Sequence, residues 1–140
     1  MSGQPCGSAA VDYWAYSYRD DPVLAGLVSH SGTVDSFPAN SPELSVQHWE
    51  EITSSMGCKL GDVLGCMKTQ SAAALLTASG KVKLPVASIA ARTQPAFQPT
   101  MDSVTVFSDY RLLARTERFA HLPYLAGHSH NEADLYKISA

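Results

Sequence analysis

The sequence predicts an α/β fold, and three observations carry that prediction. Two short apolar segments, Ala25–His30 and Leu122–Ala126, are bounded by turn residues and read as buried strands. The text between them is mostly helical in period, so the strands are expected to run parallel with helical crossovers. A glycine-framed turn, Gly3-Gln4-Pro5-Cys6-Gly7, leads directly into a small-residue helix. Two strands do not make a stable sheet, so residues 1–140 are read as a single incomplete region of such a fold.

Each element has a local reason. The first helix is expected over Ser8–Tyr18, with Ala9, Ala10, Tyr13, Trp14 and Tyr18 toward the interior, and Pro22 closes the segment after it. The strand Ala25–His30 ends in turn chemistry at Ser31-Gly32. Ser41-Pro42 is a helix entry, serine capping and proline in the first turn. The helix that follows places Val46, Trp49, Ile52 and Met56 three or four apart along one face, and Gly57 stops it. Gly61-Asp62 opens a short helical turn with Val63, Leu64 and Met67. Ser71 caps a helix over Ala72–Ala78, stopped by Gly80. Lys81–Thr105, with three prolines and no period, reads as a long loop on a rim or beside absent neighbours. Ser108 is expected to cap a helix over Asp109–Ala120, with Leu112, Leu113 and Phe119 inside and Arg111, Arg115 and Arg118 solvated. The second strand follows, then the loop Gly127–Glu132.

Composition excludes several classes of function. Hydrophobic residues make up 45% of the 140 and charged residues 16%, which is globular rather than disordered. A formal net charge of -3 gives nucleic acid no electrostatic footing. No apolar run approaches the roughly 20 residues that span a bilayer. Met1-Ser2-Gly3-Gln4-Pro5 is not a signal peptide, and it reads as a chain entered midway through a turn.

The glycine frame at residues 3–7 matches the nucleophile elbow G-x-S-x-G, with Pro5 where serine stands. In such an elbow the flanking glycines let backbone pass without a Cβ clash. The surrounding text, Gly-Gln-Pro-Cys-Gly-Ser-Ala-Ala-Val-Asp-Tyr-Trp-Ala-Tyr, is similar to the elbows of fungal type-B carboxylesterases and cholinesterase-like proteins. Further resemblances follow in the family's order. They are Leu27 to Thr33, a strand ending in Ser-Gly; Gly57-Cys58 with Asp62 to Met67, a short disulfide loop; and Phe97 to Asp102, a Pro-x-x-Asp segment. Pro123 to Gly127 with Asn131-Glu132 resembles the strand and loop that deliver a catalytic acid.

That resemblance implies part of an α/β-hydrolase and the central region of a serine carboxylesterase. Its intact relatives hydrolyse small carboxylic esters through an acyl-enzyme, without a cofactor. By resemblance Glu132 stands at the triad acid, Cys6 supplies an oxyanion-hole N–H, and Cys58 pairs with Cys66, which would suit an oxidising compartment. Pro5 in the nucleophile slot has no hydroxyl, and its ring sets φ near -65° against the elbow's usual conformation. The family's histidine and glycine-rich oxyanion loop fall outside these 140 residues, so the chain is expected to be inactive by itself. A non-catalytic esterase-like binding protein and a truncated gene product are the alternatives.

Blander readings stand beside these. Cys6 lies one residue off the elbow tip and reads as an inert thiol rather than a replacement nucleophile. Cys58 and Cys66 lack a second pair to complete a metal site, and His128 and His130 read as solvated loop residues rather than ligands. Glu132 without the family text is an ordinary loop carboxylate.

Overall fold

The computed structural model of the chain describes residues 1–36, 39–82 and 95–132. Three parallel strands form its sheet: β1 (Ser2–Gly3), β2 (Leu27–His30) and β3 (Tyr124–Gly127), in the order β1-β2-β3. Ser2 and Gly3 pair with Val28 and Ser29, and Leu27 to His30 pair with Tyr124 to Gly127. The parallel α/β class expected from the sequence is present, with β1 as an addition to the two expected strands. Two residues of Ser-Gly carry no period, so β1 was not legible as a strand.

Helix α1 (Cys6–Ser17) crosses from β1 to β2. It begins two residues before the expected Ser8, because the turn feeds straight into it. Val11 and Ala15 pack on Leu27, with Leu24 and Leu122 at the margin. Full burial of Val11 and Leu27 contributes about 1.5–3 kcal/mol each. Tyr13 and Trp14 are half-buried, while Tyr18 is exposed and stacks on Trp14 with ring centroids 4.0 Å apart.

Helices α2 (Pro42–Ser55), α3 (Val63–Lys68) and α4 (Ala72–Ser79) form a second packing unit. Ser41 and Ser71 cap as expected, accepting from the Leu44 and Ala74 N–H groups, and Asp62 caps α3 through Gly65. Gly57, at φ 78, closes α2 while the Gly57 and Cys58 N–H groups return to Ser54 and Thr53. The buried face of α2 differs from the expected one. Ile52 is buried as expected, but Val46 and Trp49 are exposed and His48 is buried in their place. The His48 ring bonds the Ala96 carbonyl through Nδ1 at 2.8 Å, and the Asn40 amide donates to the same oxygen at 2.7 Å. A polar side chain thus holds the 95–100 segment that an apolar pattern does not report.

Helix α5 (Tyr110–Arg115) is half the expected length. Asp109, not Ser108, caps it, accepting from Leu112 N–H at 2.8 Å. Glu117 at φ 56 ends it, with Glu117 and Arg118 N–H groups returning to Ala114 and Leu113. This is the helix-terminating turn usually supplied by glycine. With no glycine there, the stop carries no sequence signal, and Leu112 is exposed rather than buried. Tyr110 and Leu113 pack on Val34, with Tyr13, Tyr16 and Phe107 around them. Burial pushes the Tyr110 hydroxyl up to about 12.

The expected buried strand at Leu122–Ala126 is β3, and its four residues are all exposed. Hydrogen bonds to β2 satisfy one edge, and no described residue pairs with the other. Of the long loop expected at Lys81–Thr105, residues 83–94 lie outside the described part. Residues 95–100 lead to an isolated parallel bridge between Asn40 and Thr100. Among the described residues no helix is long and apolar enough to cross a membrane.

Candidate active site

All three strands are parallel, so Gly3, His30 and Gly127 end at one edge of the sheet. Three segments leave from that edge: the turn Gln4-Pro5, the turn Ser31-Gly32 and the loop that reaches Glu132. Parallel sheets place chemistry at this carboxyl edge.

The elbow turn is formed despite its proline. Pro5 adopts φ 19, ψ -94, and α1 starts at the next residue. The Gly7 N–H donates to Gln4 O at 2.9 Å, and the Ser8 and Ala9 N–H groups donate to Pro5 O at 3.1 and 3.2 Å.

The two glycines of the frame do different work. A Cβ on Gly3 would lie 2.1 Å from the Gly7 carbonyl oxygen and 2.2 Å from its carbon. A Cβ on Gly7 would meet nothing within 4 Å. The expectation that both flanking glycines relieve a clash therefore holds for Gly3 alone. Gly32 completes the close approach, since its Cβ would stand 2.5 Å from Pro5 O.

A buried serine pair fixes that approach. Ser8 and Ser29 hydroxyls bond each other and each reaches the Gly32 carbonyl at 2.8 Å. Both side chains are buried. The bracket ties α1, β2 and the turn after β2 into one unit directly beneath the elbow. Nothing in the apolar periodicity signals it, because serine at both positions reads as small-residue packing or a turn.

Cys6 carries an exposed free thiol at the first position of α1. Glu132 is half-buried at the end of the described loop, and His128 and His130 are exposed beside it. Cys58 and Cys66 are joined by a disulfide, with Cα atoms 5.7 Å apart, at a distance in sequence from the elbow. Asp102 is held by four bonds, from the Thr105 hydroxyl and the Val104, Thr105 and Val106 N–H groups. Those donors, the Thr105 hydroxyl foremost, hold its carboxyl well below the usual carboxylate range.

One further polar contact joins α1 to β3. Asp12 accepts from Val34 N–H at 2.9 Å and lies 3.5 Å from the Tyr124 hydroxyl. Burial pushes the Asp12 carboxyl up, against the pull of those two donors.

Comparison with known proteins agrees with this geometry. The chlorogenic acid esterase of Aspergillus niger is 27% identical over 128 residues, which is 89% of this chain and 23% of that relative's length. This chain therefore spans about a quarter of the curated relative it matches. A family model described as the carboxylesterase family matches residues 1–139. A parallel sheet with a helix following a glycine-framed turn is consistent with part of that family's α/β-hydrolase fold. The chain belongs to the carboxylesterase family.

Proposed function

We propose that this chain is the elbow-bearing region of a serine carboxylesterase scaffold and does not itself hydrolyse esters. The observation that carries the reading is Pro5 at the tip of a formed elbow. An acyl-enzyme requires a nucleophilic oxygen or sulfur at that tip, and the proline side chain offers neither. In the scaffold, the Cys6 N–H is one donor to a developing oxyanion, and Glu132 is the acid that orients a histidine and stabilises its imidazolium. Support for Glu132 is its place in the loop after β3, at the same sheet edge as the elbow. The substrates of the scaffold would be small carboxylic esters, in keeping with the esterase relative.

The test is hydrolysis of p-nitrophenyl butyrate by the purified chain, beside a Cys6→Ala variant. The reading expects both to match the buffer rate. Saturable turnover by the unaltered chain overturns it. Turnover lost in Cys6→Ala would identify the thiol as a replacement nucleophile, which the reading excludes.

A further inference from the structure

A cavity of about 270 Å³ lies where α1, the end of α5 and the start of β3 meet. Asp12, Tyr16 and Tyr124 give it polar groups, and Ala114, Phe119 and Leu122 give it apolar walls. We propose that this cavity is a binding site for a small primary alkylammonium, held by Asp12.

The chemistry follows from what Asp12 lacks. Its Oδ2 has a full hydrogen bond from Val34 N–H at 2.9 Å. Its Oδ1 has only the Tyr124 hydroxyl at 3.5 Å, the outer limit of such a bond. Among the described residues no cationic side chain forms an ion pair with Asp12. The charge acting on it is Asp35, of like sign. A carboxylate half removed from water, with acceptor capacity left over, calls for a cation that also donates.

A primary ammonium meets that requirement. One N–H reaches Oδ1 and another the Tyr124 oxygen, while a short alkyl tail lies against Ala114 and Leu122. The Tyr16 and Phe119 rings, 6.2 Å apart and edge to face, add the attraction of aromatic faces for a cation. A quaternary ammonium has the charge without the donors, and an alcohol has a donor without the charge. The site therefore ranks these ligands, and it stands independently of the esterase reading.

The experiment is an NMR titration of the chain with n-butylammonium, n-butanol and tetramethylammonium, following amides of α1 and β3. For a ligand this small a millimolar Kd is expected. n-Butylammonium should bind saturably, at least tenfold tighter than either comparison ligand. Asp12→Asn should weaken it at least tenfold, and Ala114→Leu, which fills the cavity with the carboxylate kept, should abolish it. The second variant keeps the test decisive if the first does not fold. Equal binding of n-butanol, binding unchanged by either folded variant, or no saturation by 50 mM would each overturn the proposal.

Discussion

Replacing Gly3 and Gly7 separately with alanine tests the elbow packing, because the structure assigns opposite outcomes to two glycines of one motif. In Gly3→Ala the new Cβ would be 2.1 Å from Gly7 O, 2.2 Å from Gly7 C and 2.7 Å from Ser8 N. All three are backbone atoms in the first turn of α1, so no rotamer change relieves the overlap. β1 and α1 would have to separate by over an ångström, at a cost near the upper end of the 1–3 kcal/mol typical of overpacking, about 3 kcal/mol. Gly7→Ala meets nothing and replaces a flexible residue within a helix, a gain of about 0.5 kcal/mol. The two variants should therefore differ by about 3.5 kcal/mol, or roughly 10 °C in Tm for a chain this size. Trp14 lies in α1 and makes fluorescence-monitored urea denaturation a direct assay. Equal midpoints for the two variants, or a Gly7→Ala loss matching that of Gly3→Ala, would refute the packing argument.

Three further outcomes are expected. Ser8→Ala and Ser29→Ala should each cost about 1–2 kcal/mol, and the double variant less than their sum, because both hydroxyls serve one carbonyl; additive losses in urea denaturation would contradict the shared bracket. Reduction of Cys58–Cys66, which closes a short loop, should lower stability by about 2–3 kcal/mol, read as the urea midpoint with and without reductant. Asp102 and Asp12 should give opposite pH dependences. The Asp102 carboxyl lies below its ordinary 3.8, so its stabilisation is present above that pH and lost as pH falls, and Asp102→Asn should flatten the acid limb of stability. The Asp12 carboxyl lies above 3.8, so its contribution is present below that pH and lost as pH rises, and Asp12→Asn should raise stability near neutrality relative to pH 3. Variants whose pH profiles run parallel to that of the unaltered chain would contradict these signs.

The fold was legible where side-chain chemistry acts locally. Ser41, Ser71 and Gly57 marked helix ends because capping and a left-handed closing turn are decided by one or two residues. The Cys58–Cys66 bridge and the family itself came from matched motifs, not from periodicity. Tertiary choices were less visible. His48 displaced Val46 and Trp49 on the buried face of α2, because Ala96 supplies its Nδ1 with a partner that lies 48 residues away. Glu117 closed α5 in a conformation that glycine usually signals. At the candidate site, the glycine frame indicated the turn, while the Ser8–Ser29 bracket and the Asp12 cavity depend on contacts between distant segments that no spacing encodes.

The central proposal is that the tip of this elbow, at Pro5, carries no nucleophile. Intact-mass measurement after incubation with p-nitrophenyl acetate at neutral pH tests it most directly. No burst of p-nitrophenol is expected, and any acetylation of the exposed Cys6 thiol should be slow and unsaturable in ester. A stoichiometric burst with an acetyl group mapped to the elbow peptide, on Cys6 or any neighbour, would contradict it.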